Sequence, residues 1–202
     1  MSSWGYRRLP AELWNPAERS LEAEAGPDEV LMVRVGEGDQ PAFRVLVHRH
    51  LPRMLDLARR MTASVSDAEE IAQEAFLRVW TTAPRWRPEG ALFRTWLYRV
   101  VVNLCLDRVR RKPFAPLADA GDPSDPSPDA LARLERQEAQ RRIADAIRAL
   151  PERQRAALVL SYYQGLSNQE AAAVLRVSVS SLEALLVRAR RALRGRLAGG
   201  ES

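Results

Sequence analysis

Aromatic and basic side chains share one predicted helix in the middle of the chain. Residues 81–112 read TTAPRWRPEGALFRTWLYRVVVNLCLDRVRRK, in which a loop bearing Pro and Gly leads into a long helix. Rings stack on unpaired bases and guanidinium groups hold the phosphate backbone, so this combination suits single-stranded nucleic acid. The helix residues that could act in this way are Trp96, Tyr98, Arg99, Asn103 and Arg110. On this helix alone an alternative stays open, in which the aromatics belong to the core and the arginines are solvated.

A second basic helix lies near the C-terminal end and follows a shorter helix, which is the plan of a helix-turn-helix. Its predicted core stripe is Val179, Leu182, Leu185, Leu186, Ala189 and Leu193. Small residues near the start of this helix would let it approach base edges, while arginines further along would bind phosphates. The candidate DNA contacts are Ser178, Ser180, Ser181, Glu183, Ala184, Arg188 and Arg191. A surface helix with merely solvated arginines is the competing interpretation.

A third predicted helix, Asp67 to Trp80, carries acidic groups on one face. Its apolar stripe predicts burial of Ile71, Ala72, Ala75, Phe76, Val79 and Trp80. A different face brings together Glu70, Gln73, Glu74 and Leu77. A leucine among carboxylates and an amide suits docking against a basic partner helix, although a solvated acidic face is the commoner meaning of such a pattern.

The elements that position these groups are predicted to be all-α, because apolar residues recur at intervals of three and four and no strand-like alternation occurs. Helix starts are expected at the S-x-x-E capping boxes of Ser66, Ser167 and Ser180, and at Ser127 before Pro128. Residues 113–128 hold five of the thirteen prolines and three aspartates, which predicts a flexible linker. Two small helical domains, 28–112 and 129–198, therefore follow an N-terminal extension of residues 1–27.

Composition narrows the functional class. The 202 residues have a formal net charge of +5, and no run of 18 apolar residues or secretory signal is visible, which predicts a cytoplasmic chain without membrane insertion. His48 and His50 would point about 200° apart on one helix, so a metal site is not expected. The single cysteine, Cys105, is expected in the core rather than in a redox role. No catalytic constellation, cofactor site or small-molecule substrate site stands out, so an enzyme is not expected.

The order of these segments resembles the sigma factors of bacterial RNA polymerase, specifically the small extracytoplasmic-function (ECF) type of the sigma-70 superfamily. The resemblance runs from about Asp28 to Arg196. Its motifs are DEVLMVRVGEGDQPAF, DAEEIAQEAFLRVW, FRTWLYRVVVNLCLDRVRRK, LPERQRAALVLSYYQGLS and the helix-turn-helix. A helix-turn-helix regulator that works without polymerase is the alternative, but it would need neither the acidic helix nor the aromatic and basic one.

The resemblance implies partners and roles for these segments. The partner would be core RNA polymerase, contacted at its clamp coiled coil and its flap. The acidic face would bind the clamp coiled coil, and the helix-turn-helix would read the minus-35 promoter element. Arg99 and Asn103 match minus-10 positions, and the loop from Arg85 to Leu92 matches the one that captures a flipped base. Its candidate contacts are Arg85, Trp86 and Arg87.

The chain also departs from the family pattern. Glu183 and Leu185 stand where a basic residue is frequent, and Arg176 replaces a frequent turn glycine, so base preferences cannot be transferred. The family implies control by an anti-sigma factor. Because the linker would leave the domains free to reorient, we expect inhibition by such a partner rather than by the chain's own domains.

Overall fold

The computed structural model describes residues 26–87, 92–111 and 130–198, and all regular secondary structure in these ranges is helical, as predicted. The first domain contains α1 (Asp28–Gly36), α2 (Gln40–Thr62), α3 (Val65–Thr82), a 3-10 turn (Ala83–Arg85) and α4 (Phe93–Arg111). The second contains α5 (Ala130–Arg148), α6 (Glu152–Leu158) with a π-helical turn (Val159–Tyr163), α7 (Asn168–Leu175) and α8 (Val179–Ala198). The predicted linker and the helix start at Ser127 lie outside the described residues. Within these ranges no helix has the length and apolar character needed to cross a membrane.

Two predicted helix starts are wrong by two residues. Helix α3 is capped by Ser64, whose Oγ accepts a hydrogen bond from the Asp67 amide at 3.1 Å, rather than by Ser66. The chain reverses at Ala63, which ends α2 in the left-handed region at φ 57°, and this turn places Ser64 in the extended conformation that a cap requires.

The second domain contains one correct cap and one incorrect cap. The capping box of Ser167 and Glu170 is confirmed, since each side chain accepts a hydrogen bond from the other residue's amide, at 3.2 and 2.8 Å. Helix α8 is capped by Ser178, whose Oγ accepts from the Ser181 amide at 3.1 Å, so the predicted box at Ser180 is wrong.

The apolar stripes form the core, with three corrections. Trp80, predicted in the α3 stripe, is 38% exposed and rests edge-on against Phe43 with ring centroids 5.2 Å apart. Val179, predicted in the α8 stripe, is exposed at the helix start. The α4 sequence predicts burial of Leu97, Val100, Val101, Leu104, Cys105 and Val109. The buried face is instead turned toward Tyr98 and Val102, because α7 packs on this helix in addition to α2 and α3. The α4 core residues are Phe93, Leu97, Tyr98, Val101, Val102 and Cys105.

The two domains pack directly against each other and share a continuous core. Arg155 of α6 is 3% exposed and donates to the Met61 carbonyl in the first domain and to the Arg148 and Leu150 carbonyls in the second. The linker composition predicts domains that are free to reorient, and in the arrangement seen here buried polar contacts hold the two domains together.

Candidate polymerase and promoter interfaces

An open cleft of about 640 Å³ separates α3 from α4 and contains the predicted docking face. Leu77 is 56% exposed, Glu70 and Gln73 are exposed, and Glu74 is half-buried. All four side chains line the cleft, so the outward orientation expected from the α3 sequence is what the structure has. The opposite wall is formed by Leu104, Asp107, Arg108 and Arg111 of α4, which the sequence reasoning missed although their spacing places them on one helix face.

Arginines fix the carboxylates on the α3 side of this cleft. Arg108 Nη1 lies 2.6 Å from Asp67 Oδ1, and its Nη2 lies 2.7 Å from Glu70 Oε2. Arg78 pairs with Glu74 at 2.9 Å along the same helix. The cleft therefore presents an exposed leucine between partly neutralised acidic groups, which is a surface suited to a helix with both apolar and basic side chains.

The predicted minus-10 residues of the loop stand beside the start of α4. Arg85 and Arg87 are exposed, while Trp86 is half-buried. The Trp86 ring meets Phe93 at 6.1 Å and Trp96 at 5.5 Å between centroids, both in edge-to-face geometry. The two tryptophans thus form one partly accessible aromatic group with an arginine on either side of Trp86.

Four of the five predicted contacts on α4 share a helix face. Trp96, Arg99, Asn103 and Arg110 follow at intervals of three, four and seven residues, and none of them is buried. Tyr98 does not belong to this face, so the prediction that it is a surface contact is wrong: it is 1% exposed, and its hydroxyl donates to Gln164 Oε1 at 3.2 Å. The burial of Tyr98 also raises the pKa of its phenol.

The second domain occupies part of this α4 face. Arg99 Nη2 donates to the Ala173 carbonyl of α7 at 3.0 Å, and Arg110 Nε lies 3.4 Å from Glu152 Oε2 of α6. Asn103 is exposed. Strand-binding candidates of the first domain are thus in contact with the helix-turn-helix domain. We call this arrangement, in which the two domains touch, the closed state.

Helix α8 presents a basic face. Ser180, Ala184, Arg188 and Arg191 lie along one side, and Val187, which the sequence reasoning missed, is 55% exposed beside them. Ser178 caps the helix, and its Oγ also contacts the Ser181 hydroxyl at 2.8 Å, so these groups hold the helix start. Glu183 accepts from Asn168 at 3.3 Å and links the two helices of the motif.

The remaining titratable candidates are a paired histidine and a buried cysteine. His50 Nε2 lies 2.7 Å from Asp28 Oδ2, and within the described ranges no group of His, Cys, Asp and Glu side chains is arranged to hold a metal ion. Cys105 is fully buried, and this burial raises the pKa of its thiol to about 12. A thiolate is therefore rare at neutral pH, which argues against a redox role.

Family comparisons match both domains. Residues 46–113 match the family model of sigma-70 region 2, and residues 140–193 match that of sigma-70 region 4. The RNA polymerase sigma-H factor of Pseudomonas aeruginosa is 31% identical over 177 residues, which cover 82% of this chain and 91% of that protein. The chain belongs to the sigma-70 family of RNA polymerase sigma factors. Sigma factors are promoter-recognition proteins and not catalysts. As a member of this family, the chain directs RNA polymerase to promoters.

Other relatives place it with the ECF type. The ECF RNA polymerase sigma-E factor of Escherichia coli K12 is 31% identical over 177 residues, covering 82% of this chain and 92% of that protein. CnrH, solved in complex with the cytosolic domain of CnrY, is 29% identical with a TM-score of 0.65 and covers 87% of this chain and 99% of CnrH. The superposition takes in both domains. A match to region 2 as well as region 4 sets aside the alternative of a regulator that works without polymerase.

Proposed function

We propose that the sigma factor divides its work between the two predicted units. Residues 28–112 bind the polymerase clamp and the minus-10 element, residues 129–198 bind the minus-35 element and the flap, and residues 113–128 connect them. The matches at 46–113 and 140–193 support this division, because the first ends where the linker begins and the second starts after the linker. The extension of residues 1–27 precedes both matches. Recruitment takes place in the cytoplasm, where polymerase and promoters meet.

Polymerase docking uses the cleft between α3 and α4. The observation that carries this assignment is Leu77, a large apolar side chain left 56% exposed between acidic groups in a region matched as sigma region 2. A basic helix of the clamp coiled coil would cover Leu77, and its arginines or lysines would form ion pairs with Glu70 and Glu74. The cost of leaving this leucine in water is then removed on binding.

Promoter melting uses an aromatic and basic surface that we call the minus-10 edge, formed by Trp86, Arg87, Trp96, Arg99 and Asn103. Unpaired bases stack on tryptophan with about 1 to 3 kcal/mol per base, which offsets the free energy lost when base pairs open. The guanidinium groups hold the backbone of the same strand. Helix α8 reads the minus-35 element from the other domain, where Ser180, Ala184 and Val187 face the bases and Arg188 and Arg191 bind phosphates.

Promoter binding requires the two domains to separate. The minus-10 and minus-35 elements are about 25 base pairs apart, or about 85 Å at about 3.4 Å per base pair. In the closed arrangement Arg99 touches α7 of the helix-turn-helix at 3.0 Å, so one closed chain does not reach both elements. CnrH was solved in complex with another protein, the cytosolic domain of CnrY, and the likeness to CnrH supports control by a protein partner that holds this closed state. The family resemblance makes an anti-sigma factor the expected kind of partner.

Transcription with purified components tests these roles. Run-off assays with core polymerase and genomic promoter fragments should give promoter-specific transcripts with the wild-type chain. Trp96→Ala and Arg99→Ala should impair transcription from duplex promoters more than assembly with core. Co-purification from the host, followed by mass spectrometry, should recover a stoichiometric protein partner before stress. A well-folded chain that gives no promoter-dependent transcript with competent core would refute the proposal.

A further inference from the structure

Helix α1 touches the chain at both sides of the minus-10 edge, although it contributes no group to that edge. Glu29 at its start reaches the beginning of α4, where its Oε1 accepts a hydrogen bond from the Phe93 amide at 2.9 Å. Gly36 at its end lies against the 3-10 turn that precedes Trp86. These two residues are seven positions apart and therefore share one face of α1, about 10 Å from each other along the axis.

The contact of Glu29 supplies what the start of α4 lacks. The first amides of a helix have no partner within the helix and favour negative charge nearby. The first turn of α4 contains no acidic residue, and Leu92, which is 63% exposed just before it, has no side-chain acceptor. A carboxylate 64 positions earlier in the sequence therefore provides a cap at Phe93.

The contact of Gly36 is a close approach of two backbone segments. A Cβ atom at this position would lie 2.6 Å from the Ala83 carbonyl oxygen and 3.0 Å from its carbon, which is closer than van der Waals contact allows. Because the atoms in the way belong to the backbone, they cannot move aside as a flexible side chain would. The turn that carries the chain toward Trp86 is thus set by its fit against the end of α1.

Helix α1 is itself held in place. Asp28 pairs with Arg49 at 3.0 Å and with His50 at 2.7 Å on α2, while Leu31, Met32 and Val35 are buried in the core. The Trp86 ring then rests on Phe93, so the segment that enters the edge and the helix that leaves it are joined through α1 and through these rings.

We propose that α1 positions the minus-10 edge, with Glu29 and Gly36 as positioning residues that set the start of α4 and the turn before Trp86. The inference rests on the proposed assignment of minus-10 reading to Trp86, Trp96 and Arg99. It concerns residues that contact no DNA themselves. Loss of either contact changes how well the edge fits an unpaired strand and leaves the α3 cleft unchanged.

The test uses holoenzyme assembled from core polymerase and full-length sigma variants. Binding of a fluorescent single-stranded oligonucleotide carrying the minus-10 sequence of a responsive promoter is measured beside core affinity and binding to minus-35 duplex. Glu29→Ala should weaken oligonucleotide binding about fivefold, the size of one lost helix cap, with the other two affinities unchanged. Glu29→Gln, which keeps an acceptor oxygen, should retain most of the oligonucleotide affinity. Glu37→Ala, at an exposed carboxylate just after α1, is the matched control and should bind normally.

Gly36→Ala separates positioning from helix stability. Alanine favours a helix over glycine, so a purely local effect would stabilise α1. We expect weaker oligonucleotide binding instead, because the turn at Ala83 must shift. The inference is overturned if Trp96→Ala and Arg99→Ala weaken oligonucleotide binding but Glu29→Ala and Gly36→Ala both bind normally. It is also overturned if the two α1 variants lose core affinity to the same extent as oligonucleotide affinity. If those two edge variants also bind normally, the minus-10 assignment is wrong and the inference fails with it.

Discussion

Replacing Gln164 with leucine should shift the sigma factor toward an open state. Gln164 is buried between the domains, where its Oε1 accepts from the Tyr98 hydroxyl at 3.2 Å and its Nε2 donates to Asp56 Oδ2 at 2.8 Å. Leucine is close to glutamine in size but makes neither hydrogen bond. Asp56 keeps both hydrogen bonds from Arg60 Nε, so the first domain retains its local pairing.

The expected magnitude follows from these two hydrogen bonds. The neutral one contributes about 1 kcal/mol, and the one to the carboxylate contributes about 1.5 to 3 kcal/mol. Their loss amounts to about 2.5 to 4 kcal/mol, from which leucine recovers about 1 kcal/mol through burial of its methyl groups. A remaining change of about 2 kcal/mol moves the equilibrium between closed and open chains about 30-fold toward the open one.

Fluorescence energy transfer between the domains measures this shift. Cys105 is buried with a raised pKa, so dyes attach selectively to Ser66→Cys in α3 and Val187→Cys in α8, both at exposed positions. Transfer should fall in Gln164→Leu and stay at the wild-type level in Gln169→Leu, which makes the same change at an exposed site. Unchanged transfer in Gln164→Leu, with wild-type melting behaviour, would refute the reasoning.

Three further outcomes are expected. A triple variant in which Gln73, Glu74 and Leu77 of α3 are replaced with alanine should bind core polymerase at least tenfold more weakly, with little change in melting temperature. Glu69→Ala on the same helix is the control and should bind normally. Early melting of the triple variant would show that this face is structural. Arg188→Ala should lower affinity for every DNA sequence and reduce the salt slope by about one unit, and a loss confined to one base position would contradict a phosphate contact. Arg176→Gly should raise the free energy of unfolding by about 1 kcal/mol, because Arg176 has a φ of 54° that glycine adopts freely; chemical denaturation measures this, and destabilisation would contradict it.

Most of the fold could be predicted because helices of a small domain repeat their apolar residues with a fixed period. The stripes of α3 and α8 are examples, each with one exposed exception, Trp80 and Val179. Helix boundaries are harder to predict, since several serines lie near each start and the S-x-x-E pattern selects Ser66 and Ser180, whereas the capping residues Ser64 and Ser178 do not satisfy it. Only the left-handed turn at Ala63 decides that Ser64 caps α3 instead of Ser66.

The site residues that the sequence missed are those that depend on contacts between distant segments. Arg108 lines the cleft because α4 lies beside α3, and Glu29 caps a helix 64 positions away. The sequence predicts Tyr98 at the surface because aromatics near arginines resemble a strand-binding surface. Its burial follows from the packing of α7 on α4, which periodicity within one helix does not reveal.

The chemistry of the domain interface fits a contact that has to open. Arg155, Gln164 and Tyr98 meet across it through hydrogen bonds, and in the open chain water can replace each of these partners. An interface of apolar side chains alone would expose a larger apolar, aggregation-prone patch on each domain whenever the chain opened. Buried polar groups are costly when a partner is missing, so they also favour one geometry of closure over others. These polar groups therefore favour one geometry of closure and reduce the apolar surface that opening exposes beside the shared core, which suits the domain separation that we propose on the promoter.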